Sequence, residues 1–491
     1  MEISSKSIRN IFIYAVPRVA GYGLSLVSLP ILMRLLLPED FGVTIIASLF
    51  PAVVAGLLSF GIGPAAQRFY FQYRNDQCKL NRLYFTCQLF LLAMFLISSL
   101  GVFLIRNQAA QWFFRVPGYS QALFVSYLTA FLGQAVNFYL LLYQAKEEAL
   151  IYSWFTLTQA ALTIIANLVF VWAFGMRFMG LIYGALLGTG LTVLLAAWHF
   201  NRGSVGRSFD LHLLKESAAF GLQIVPKTLT SFTNRFFDKY MLNNMLSLSV
   251  VGVYNIGQNL GNTMFLLMNT VWSSVQPVCY KQVFDRGDEA SVDAGRLFTV
   301  FAFMATLPLV IFMLFAQEFI ILIAPSAYYP AIDVIIIILL AITTNVFGMY
   351  IGVQYAYSKK AFWLFPISVV GTIVNVLANI ALIPRFGLTG GAWSMVLSYL
   401  VGNALLVIVG QRLYRISYQW PLLIALFGHT AVSAILVLYC RGQSIAGPVL
   451  YLIKFVLAGI FIFIGWRSRV FTLASLRKVL SAFAKVKVVE V

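Results

Sequence analysis

The stretch Val16-Pro17-Arg18 recurs 209 residues later as Val225-Pro226-Lys227, so a proline beside a basic residue stands twice within apolar sequence. Each copy is followed, after a similar interval, by a glycine tripeptide: Phe41-Gly42-Val43 in the first case and Val251-Gly252-Val253 in the second. Two more pairs keep almost the same offset: Asn167 with Asn379, and Phe174-Gly175 with Phe386-Gly387. The chain therefore carries one duplicated block, and duplicated halves that each present a cation inside a span are typical of transporters.

Composition places the chain in a membrane. Its 491 residues are 61% hydrophobic and only 10% charged, with a mean hydropathy of +0.87, which excludes an ordinary soluble protein. The net charge of +18 is spread over loops in a way that indicates membrane topology, so we expect no nucleic acid as a partner. The four cysteines and three histidines show neither disulfide nor metal-ligand spacing. We expect no metal and no other cofactor, with coupling to H⁺ or Na⁺ left open.

Apolar runs long enough to cross the ~30 Å hydrocarbon core number about fourteen. The sequence thus predicts an all-α polytopic membrane protein. Its domains are an N-terminal six-helix lobe (1–200), a C-terminal six-helix lobe (201–412), two extra helices (413–466) and a basic amphipathic tail (467–491). The approximate limits of the spans are 10–36, 41–66, 83–105, 120–143, 152–174, 179–198, 217–242, 250–275, 297–315, 332–356, 362–383, 391–409, 421–440 and 446–466.

The basic residues divide unequally between the two sides of the predicted spans. Of the 34 lysines and arginines, 23 fall in the loops and tail of one side and five in the loops of the other. The positive-inside rule then places both termini in the cytoplasm. Each repeat holds an even number of spans, so the two halves enter the membrane in the same direction. A pseudo-twofold axis along the membrane normal should relate them, with the substrate between them.

The seventh predicted span is the most polar. On a helix that turns ~100° per residue, one face collects most of its polar side chains, and that face cannot point at lipid. These residues are Lys227, Ser231, Asn234, Arg235 and Asp238, with Lys239 adjacent. Asp238, Arg235 and Lys239 have two interpretations: mutual pairing that locks the helix, or a role in substrate binding or gating.

Arg18 and Lys227 are the stronger candidates for a substrate site, because neither has a carboxylate within one helical turn in sequence. Spans with more bases than acids predict cations that face a water-filled cavity, which selects an anionic ligand such as a pyrophosphate. Arg68 and Arg74, beyond the second span, could attract a phosphate head group or only fix topology. Lys454, well inside the last span, is expected to snorkel to the interface.

Three segments resemble those of polysaccharide exporters. Asn234-Arg-Phe-Phe-Asp-Lys-Tyr240 followed by Val251-Gly-Val-Tyr-Asn-Ile256 is similar to their "DRY … vGxY" region. The segment 375–392 resembles "NxxLNxxLIPxxGxxGAA", and Pro38-Glu-Asp-Phe-Gly42 matches the "lxpeefG" turn. The chain thereby looks like a member of the lipid-linked oligosaccharide (O-antigen) flippase family of the MOP superfamily, with departures at Lys239 (usually arginine) and Gly391 (often alanine).

That resemblance implies a rocker-switch transporter, not an enzyme, in the cytoplasmic (inner) membrane. The implied substrate is an undecaprenyl-pyrophosphate-linked oligosaccharide, moved from the cytoplasmic to the outer leaflet. Membrane lipids and polysaccharide polymerase or assembly proteins are the implied partners. Relatives carry basic cavity residues in their first and seventh helices, which correspond to Arg18 and Lys227 here.

Two other functions compete with this one. A multidrug exporter of the same superfamily would need a carboxylate inside an N-terminal span, and the sequence has none between 10 and 198 outside the loops. A membrane oligosaccharide polymerase or ligase would need a large outer loop or an acid–base cluster, whereas the predicted outer loops are short and hold few acids.

Overall fold

The structure is a computed structural model that describes residues 20–467 other than 22, 203–207, 224 and 444–446. At 226–231, 234 and 235 it describes the backbone alone. The predicted tail 467–491 lies outside this range except for Arg467.

Every regular element in the described part of the chain is helical. Four short 3₁₀ helices lie in the connections, at Pro117–Tyr119, Gly287–Ala290, Ser326–Tyr328 and Ala361–Trp363. A π-helical turn, Val169–Ala173, continues the sixth α-helix. The α-helices are α1 Gly23–Leu35, α2 Pro38–Leu58, α3 Ile62–Tyr73, α4 Gln77–Phe114, α5 Ser120–Ala145, α6 Ala149–Leu168, α7 Arg177–Asn201, α8 Leu211–Leu222, α9 Val225–Met245, α10 Leu248–Arg286, α11 Ser291–Leu314, α12 Ala316–Ile323, α13 Ala331–Tyr350, α14 Gly352–Tyr357, α15 Leu364–Phe386, α16 Leu388–Leu413, α17 Trp420–Gly442 and α18 Gly447–Arg467.

Eleven helical segments of the described chain are long and apolar enough to cross a membrane, so the all-α polytopic prediction is confirmed. The count of fourteen is not. The segment Leu248–Leu314 contains both α10 and α11, and the first predicted span, 10–36, lies partly outside the described residues. The seventh predicted span is met by two helices: α8, which at 12 residues is too short to cross a membrane, and α9, which is long enough but too polar to count as an apolar span.

The chain divides into two compact units, Met1–Asn255 (unit 1) and Ile256–Val491 (unit 2). The division falls within α10. The lobes 1–200 and 201–412 were predicted from the sequence repeat, whereas the two units are defined by contacts. The units therefore do not test the lobes, which stay a prediction.

Aromatic side chains fill the core of unit 1, around α5. Tyr127, Phe131, Phe138 and Tyr143 of this helix are almost completely buried among α3, α4 and α7. The second predicted span ends early because Gly61 adopts a left-handed conformation (φ 60°), which turns the chain from α2 into α3. Gly61 also allows contact with α8, since a Cβ there would lie 2.7 Å from the Gly221 carbonyl oxygen.

Unit 2 is built around α13, whose middle, residues 334–342, is apolar on all sides. The run Ile335–Ile338 is fully buried, so this helix lies inside the bundle rather than at its lipid surface. Tyr350, at its end, donates a hydrogen bond to the Ala294 carbonyl oxygen of α11 at 2.6 Å. Helices α15 and α16 form a close hairpin, in which a Cβ at Gly390 would lie 2.4 Å from the Leu382 carbonyl oxygen.

Polar contacts within unit 1 join residues that the sequence assigns to the same side of the membrane. On the predicted outer side, Gln121 Nε2 donates to the Tyr183 hydroxyl at 2.6 Å, and Arg115 Nη2 donates to the Asn244 carbonyl oxygen at 3.0 Å. On the predicted inner side, the Tyr73 hydroxyl donates to Glu216 at 3.3 Å. These contacts respect the predicted sides, and the choice of which side is cytoplasmic stays a prediction.

Candidate functional site

The two cations favoured by the sequence are described unequally. Arg18 lies outside the described residues. Lys227 is the third residue of α9, where the backbone is helical and the side chain is not described. Asn234 and Arg235 lie two turns further along the same helix, again with the backbone alone. Their roles in substrate binding stay predictions.

Asp238 and Lys239 are buried near the end of α9, each only 5% exposed. Tyr254, on α10, donates its hydroxyl to Asp238 Oδ2 at 2.7 Å, and the Lys239 backbone N–H donates to Asp238 Oδ1 at 2.8 Å. Lys239 Nζ lies 5.6 Å from the ring centroid of Phe236, within range of a cation–π interaction. Both carboxylate oxygens of Asp238 are thus engaged, and the carboxylate ties α9 to α10.

The duplicated glycine tripeptides meet each other within unit 1. A Cβ at Gly42 of α2 would lie 1.9 Å from the Leu248 carbonyl oxygen, and a Cβ at Gly252 of α10 would lie 1.8 Å from the Pro38 carbonyl oxygen. Pro38 and Leu248 are separated by the same 210 residues as the two glycines. In a contact with twofold symmetry, residue i meets j while j meets i. This reciprocity supports the twofold relation at the crossing, and only glycine permits so close an approach.

An ion pair lies next to this crossing, at the start of α2. Asp40 is 2% exposed in its side chain, and its Oδ1 lies 3.2 Å from Arg177 Nε at the start of α7. Its Oδ2 also accepts a hydrogen bond from the Leu37 backbone N–H at 2.9 Å, which caps α2. Arg177 remains 59% exposed, so one edge of the guanidinium faces outward. The pair fixes the α1–α2 turn against α7.

Arg68 and Arg74 lie on and just beyond α3, at the opposite end of unit 1, and both are exposed. The Arg68 guanidinium carbon lies 4.3 Å from the Phe220 ring centroid of α8. Neither arginine has a carboxylate within ion-pair distance in the described part of the chain. Their charges are therefore available to an anion, while the ring of Phe220 holds Arg68 in place.

Lys146 adds a third cation at this end, in the turn between α5 and α6. Its ammonium lies 4.4 Å from the Phe200 ring centroid and 5.5 Å from that of Tyr84. Burial lowers the pKa of Lys146, and the nearby Glu148 carboxylate opposes part of that shift. In sequence Lys146 is only one of the 23 basic residues assigned to the predicted inner side; its position among aromatic rings depends on α4 and α7, far away in sequence.

In unit 2 the prediction for Lys454 is wrong. The side chain does not snorkel: it is completely buried, and its Nζ donates to Glu318 Oε1 of α12 at 2.6 Å. The partner lies 136 residues away in sequence. A second ion pair joins the same helical hairpin to the bundle, because Arg441 Nε of α17 lies 2.9 Å from Asp333 Oδ1 of α13.

No group of three or more His, Cys, Asp or Glu side chains that could hold a metal occurs in the described ranges. The cysteines there are free, three of them buried. The expectation that the protein uses no cofactor stays a prediction, as does coupling to H⁺ or Na⁺.

A family model described as "Polysaccharide biosynthesis protein" matches residues 7–281, which is more than half of the chain. The chain belongs to this family. The match includes α2, α9 and most of α10, and hence the glycine crossing and Asp238. No curated protein sequence gives a significant match.

Solved structures show that the chain has the fold of MOP-superfamily transporters. A lipid II flippase MurJ in an inward closed conformation superposes with a TM-score of 0.73 at 10% identity, covering 94% of this chain and 100% of its own. An inward-facing MATE multidrug transporter gives 0.63 at 16% identity, covering 82% and 97%. A MOP transporter from Pyrococcus furiosus, whose binding pocket is described as having reverse polarity, gives 0.57 at 16% identity, covering 82% and 95%. At these identities the likeness establishes the fold alone.

The chain is therefore a multi-pass membrane protein, and the family resemblance seen in its sequence is confirmed. Sequence reasoning missed Tyr254 as the partner of Asp238, although the tyrosine stands in the quoted "vGxY" segment. It also missed that the two copies of the glycine tripeptide touch. Their common offset was the available signal, because a twofold axis brings equivalent residues near it into contact.

Proposed function

We propose that this protein is a flippase that moves an undecaprenyl-pyrophosphate-linked oligosaccharide from the cytoplasmic to the outer leaflet of the inner membrane. It acts by alternating access through a cationic central cavity, with both termini in the cytoplasm. Polysaccharide polymerase or assembly proteins are its partners, and it catalyses no covalent chemistry.

The observation that supports this proposal best is the polarity of α9 in a member of the polysaccharide biosynthesis family. This helix carries three basic residues, Lys227, Arg235 and Lys239, against one acid. The acid, Asp238, already accepts hydrogen bonds from Tyr254 and from backbone. A cationic helix in an apolar chain suits a pyrophosphate, which accepts bidentate contacts from guanidinium and point-charge contacts from ammonium groups.

A direct assay would reconstitute the purified chain in vesicles and follow the exposure of a lipid-linked oligosaccharide on the far leaflet. We expect Arg18→Ala and Lys227→Ala each to abolish translocation while the protein level stays normal. Arg412→Ala is the matched control, because Arg412 is an exposed base near the end of α16. Full translocation by both variants would refute the site assignment. Imposed H⁺ or Na⁺ gradients in the same vesicles would identify the coupling ion.

The second candidate function is export of small molecules, since the fold is shared with a MATE multidrug transporter. The basic residues of α9 would repel cationic drugs. Among the described acids of the first 200 residues, only Asp40 is buried, and it is paired with Arg177. If the vesicles extrude a cationic dye and ignore the lipid-linked oligosaccharide, this candidate replaces the first.

A further inference from the structure

A cavity of about 330 Å³ lies within unit 1, among α4, α5 and α7. This volume is at the lower end of the range of about 300–1,000 Å³ that is usual for ligand pockets. Its walls are almost entirely apolar and include Leu92 and Phe95 of α4, Phe131 and Ala135 of α5, and Val193 of α7. Leu92 is largely exposed, so the cavity opens towards the lipid-facing surface of the helices.

The polar atoms of the cavity are concentrated at one end. There Gln88 Nε2 donates a hydrogen bond to Asn201 Oδ1 at 3.2 Å, and both residues line the cavity. Gln88 and Phe95 are seven residues apart, which is about 10 Å along a helix that rises 1.5 Å per residue. An apolar slot of this length with an amide-lined mouth has the polarity of a membrane lipid: an acyl chain inside and a head group at the entrance.

An exposed tryptophan near the mouth indicates the depth of the lipid head groups. Trp198, one turn before the end of α7, is largely exposed, as tryptophans of the interfacial belt are. The Arg202 guanidinium carbon lies 3.4 Å from the Trp198 ring centroid, which fixes the cation beside Asn201. Arg82 stands on the α4 stripe that carries Phe85 and Leu89 of the cavity wall, at i+3 and i+7. Arg82 lies six residues before Gln88, about 9 Å along the helix, and Arg202 directly follows Asn201, so both arginines come from chain just beyond the polar end.

We infer that this cavity is a binding site for one acyl chain of an anionic phospholipid, whose phosphate is bound by Arg82 and Arg202. Basic pockets between spanning helices bind anionic head groups on the cytoplasmic side, and these arginines belong to the predicted inner side. The slot accommodates part of one acyl chain and only a small fraction of a long polyprenyl chain, so the occupant is a bulk phospholipid. The site is separate from α9 and does not depend on the proposed transport function.

The test counts lipids retained by the full chain in native mass spectrometry. Phosphatidylglycerol and phosphatidylcholine with identical acyl chains are the probes, and undecaprenyl phosphate is a third, competing lipid. The wild type should retain one phosphatidylglycerol in preference to phosphatidylcholine. Ala135→Phe, which fills the slot, should abolish the preference while its Tm in detergent without lipid stays the same or rises. Val193→Phe fills the slot from α7 and replaces Ala135→Phe in the test if that variant fails to fold.

The double variant Arg82→Gln/Arg202→Gln removes the head-group contacts and leaves the slot intact. At about 1 kcal/mol for each basic residue, its affinity for phosphatidylglycerol should fall by about thirtyfold, to the level of phosphatidylcholine. Arg412→Gln/Arg415→Gln is the matched control, with two exposed arginines from unit 2, and should keep the preference. If the variants with a filled slot retain phosphatidylglycerol as the wild type does, the retained lipid is annular and the cavity is not its binding site. If undecaprenyl phosphate displaces phosphatidylglycerol at a concentration below that of phosphatidylglycerol, the proposed occupant is wrong.

Discussion

Two sets of helix contacts hold this protein together by opposite means. In unit 1, α2 and α10 cross where neither helix has a side chain, so backbone carbonyl oxygens lie against Gly42 and Gly252. In unit 2, the hairpin of α17 and α18 is held by charged side chains, through Arg441–Asp333 and Lys454–Glu318. The first contact depends on shape alone. The second depends on charges in a medium where they are costly to leave unpaired.

The difference shows how each contact should respond to change. A glycine crossing tolerates pH and salt but no added atom, because packed backbones cannot make room for a Cβ. An ion pair tolerates changes in shape but not the loss of one partner. The two pairs also differ from each other, since Lys454 is completely buried while Asp333 is more than one third exposed. The contrast therefore predicts a graded series of effects.

The largest effect should follow from Glu318→Ala. It leaves the Lys454 ammonium buried without its carboxylate, and breaking a buried pair in this way costs about 3–5 kcal/mol. Thermal unfolding in detergent, followed by fluorescence-detected size exclusion, should show a large fall in Tm. The double variant Glu318→Gln/Lys454→Met, which removes both charges, should recover most of the loss. Equal destabilisation by the single and double variants would show that the pair does not act as a unit.

Gly42→Ala and Gly252→Ala should come next, each at about 1–3 kcal/mol for overpacking a tight contact. The two losses should be similar because the crossing is reciprocal, and the double variant should lose less than their sum because either change already separates the helices. Gly133→Ala is the matched control: a Cβ there meets nothing within 4 Å. The same unfolding assay gives the values. A fully additive double variant would contradict a shared contact.

Arg441→Gln should have a smaller effect, of about 0.2–1 kcal/mol, because its partly exposed pair with Asp333 is screened by solvent. The loss should shrink further when the salt concentration is raised, whereas that of Glu318→Ala should not. Unfolding at low and high salt separates the two pairs. If the loss of stability in Arg441→Gln does not depend on salt, its ion pair behaves like the buried pair of Lys454 and Glu318, and the prediction is wrong.

The smallest effect should concern pH and Lys146, a cation held by rings instead of an acid. Burial lowers its pKa in the folded state, so folding disfavours the charged form. The penalty applies below the folded pKa and disappears as pH rises towards the ordinary lysine pKa, so this residue makes stability increase with pH in that window. Lys146→Met should flatten that rise in Tm. If Tm rises with pH as steeply in Lys146→Met as in the wild type, the rise is due to another titratable group.

Much of the fold could be predicted because its determinants are local. Apolar run length predicts spanning helices, and the bias of basic residues predicts sides, which the contacts Gln121–Tyr183 and Tyr73–Glu216 respect within unit 1. The number of spans was harder to predict: α8 is too short and α9 too polar for a rule based on apolar length, although the polar face of α9 is itself visible in sequence. The candidate site was predicted as a set of residue types, and the partners of those residues were not.

By itself the sequence determined that this is an all-helical membrane protein of the polysaccharide biosynthesis family with a duplicated block, because composition, periodicity and motif order are properties of the chain. Only the tertiary structure decided that Lys454 pairs with Glu318 instead of reaching the interface. Only it showed that Gly42 and Gly252 are small in order to let α2 and α10 touch. Both facts concern residues more than a hundred positions apart, and a packed interior selects such partners by geometry, which no local pattern encodes.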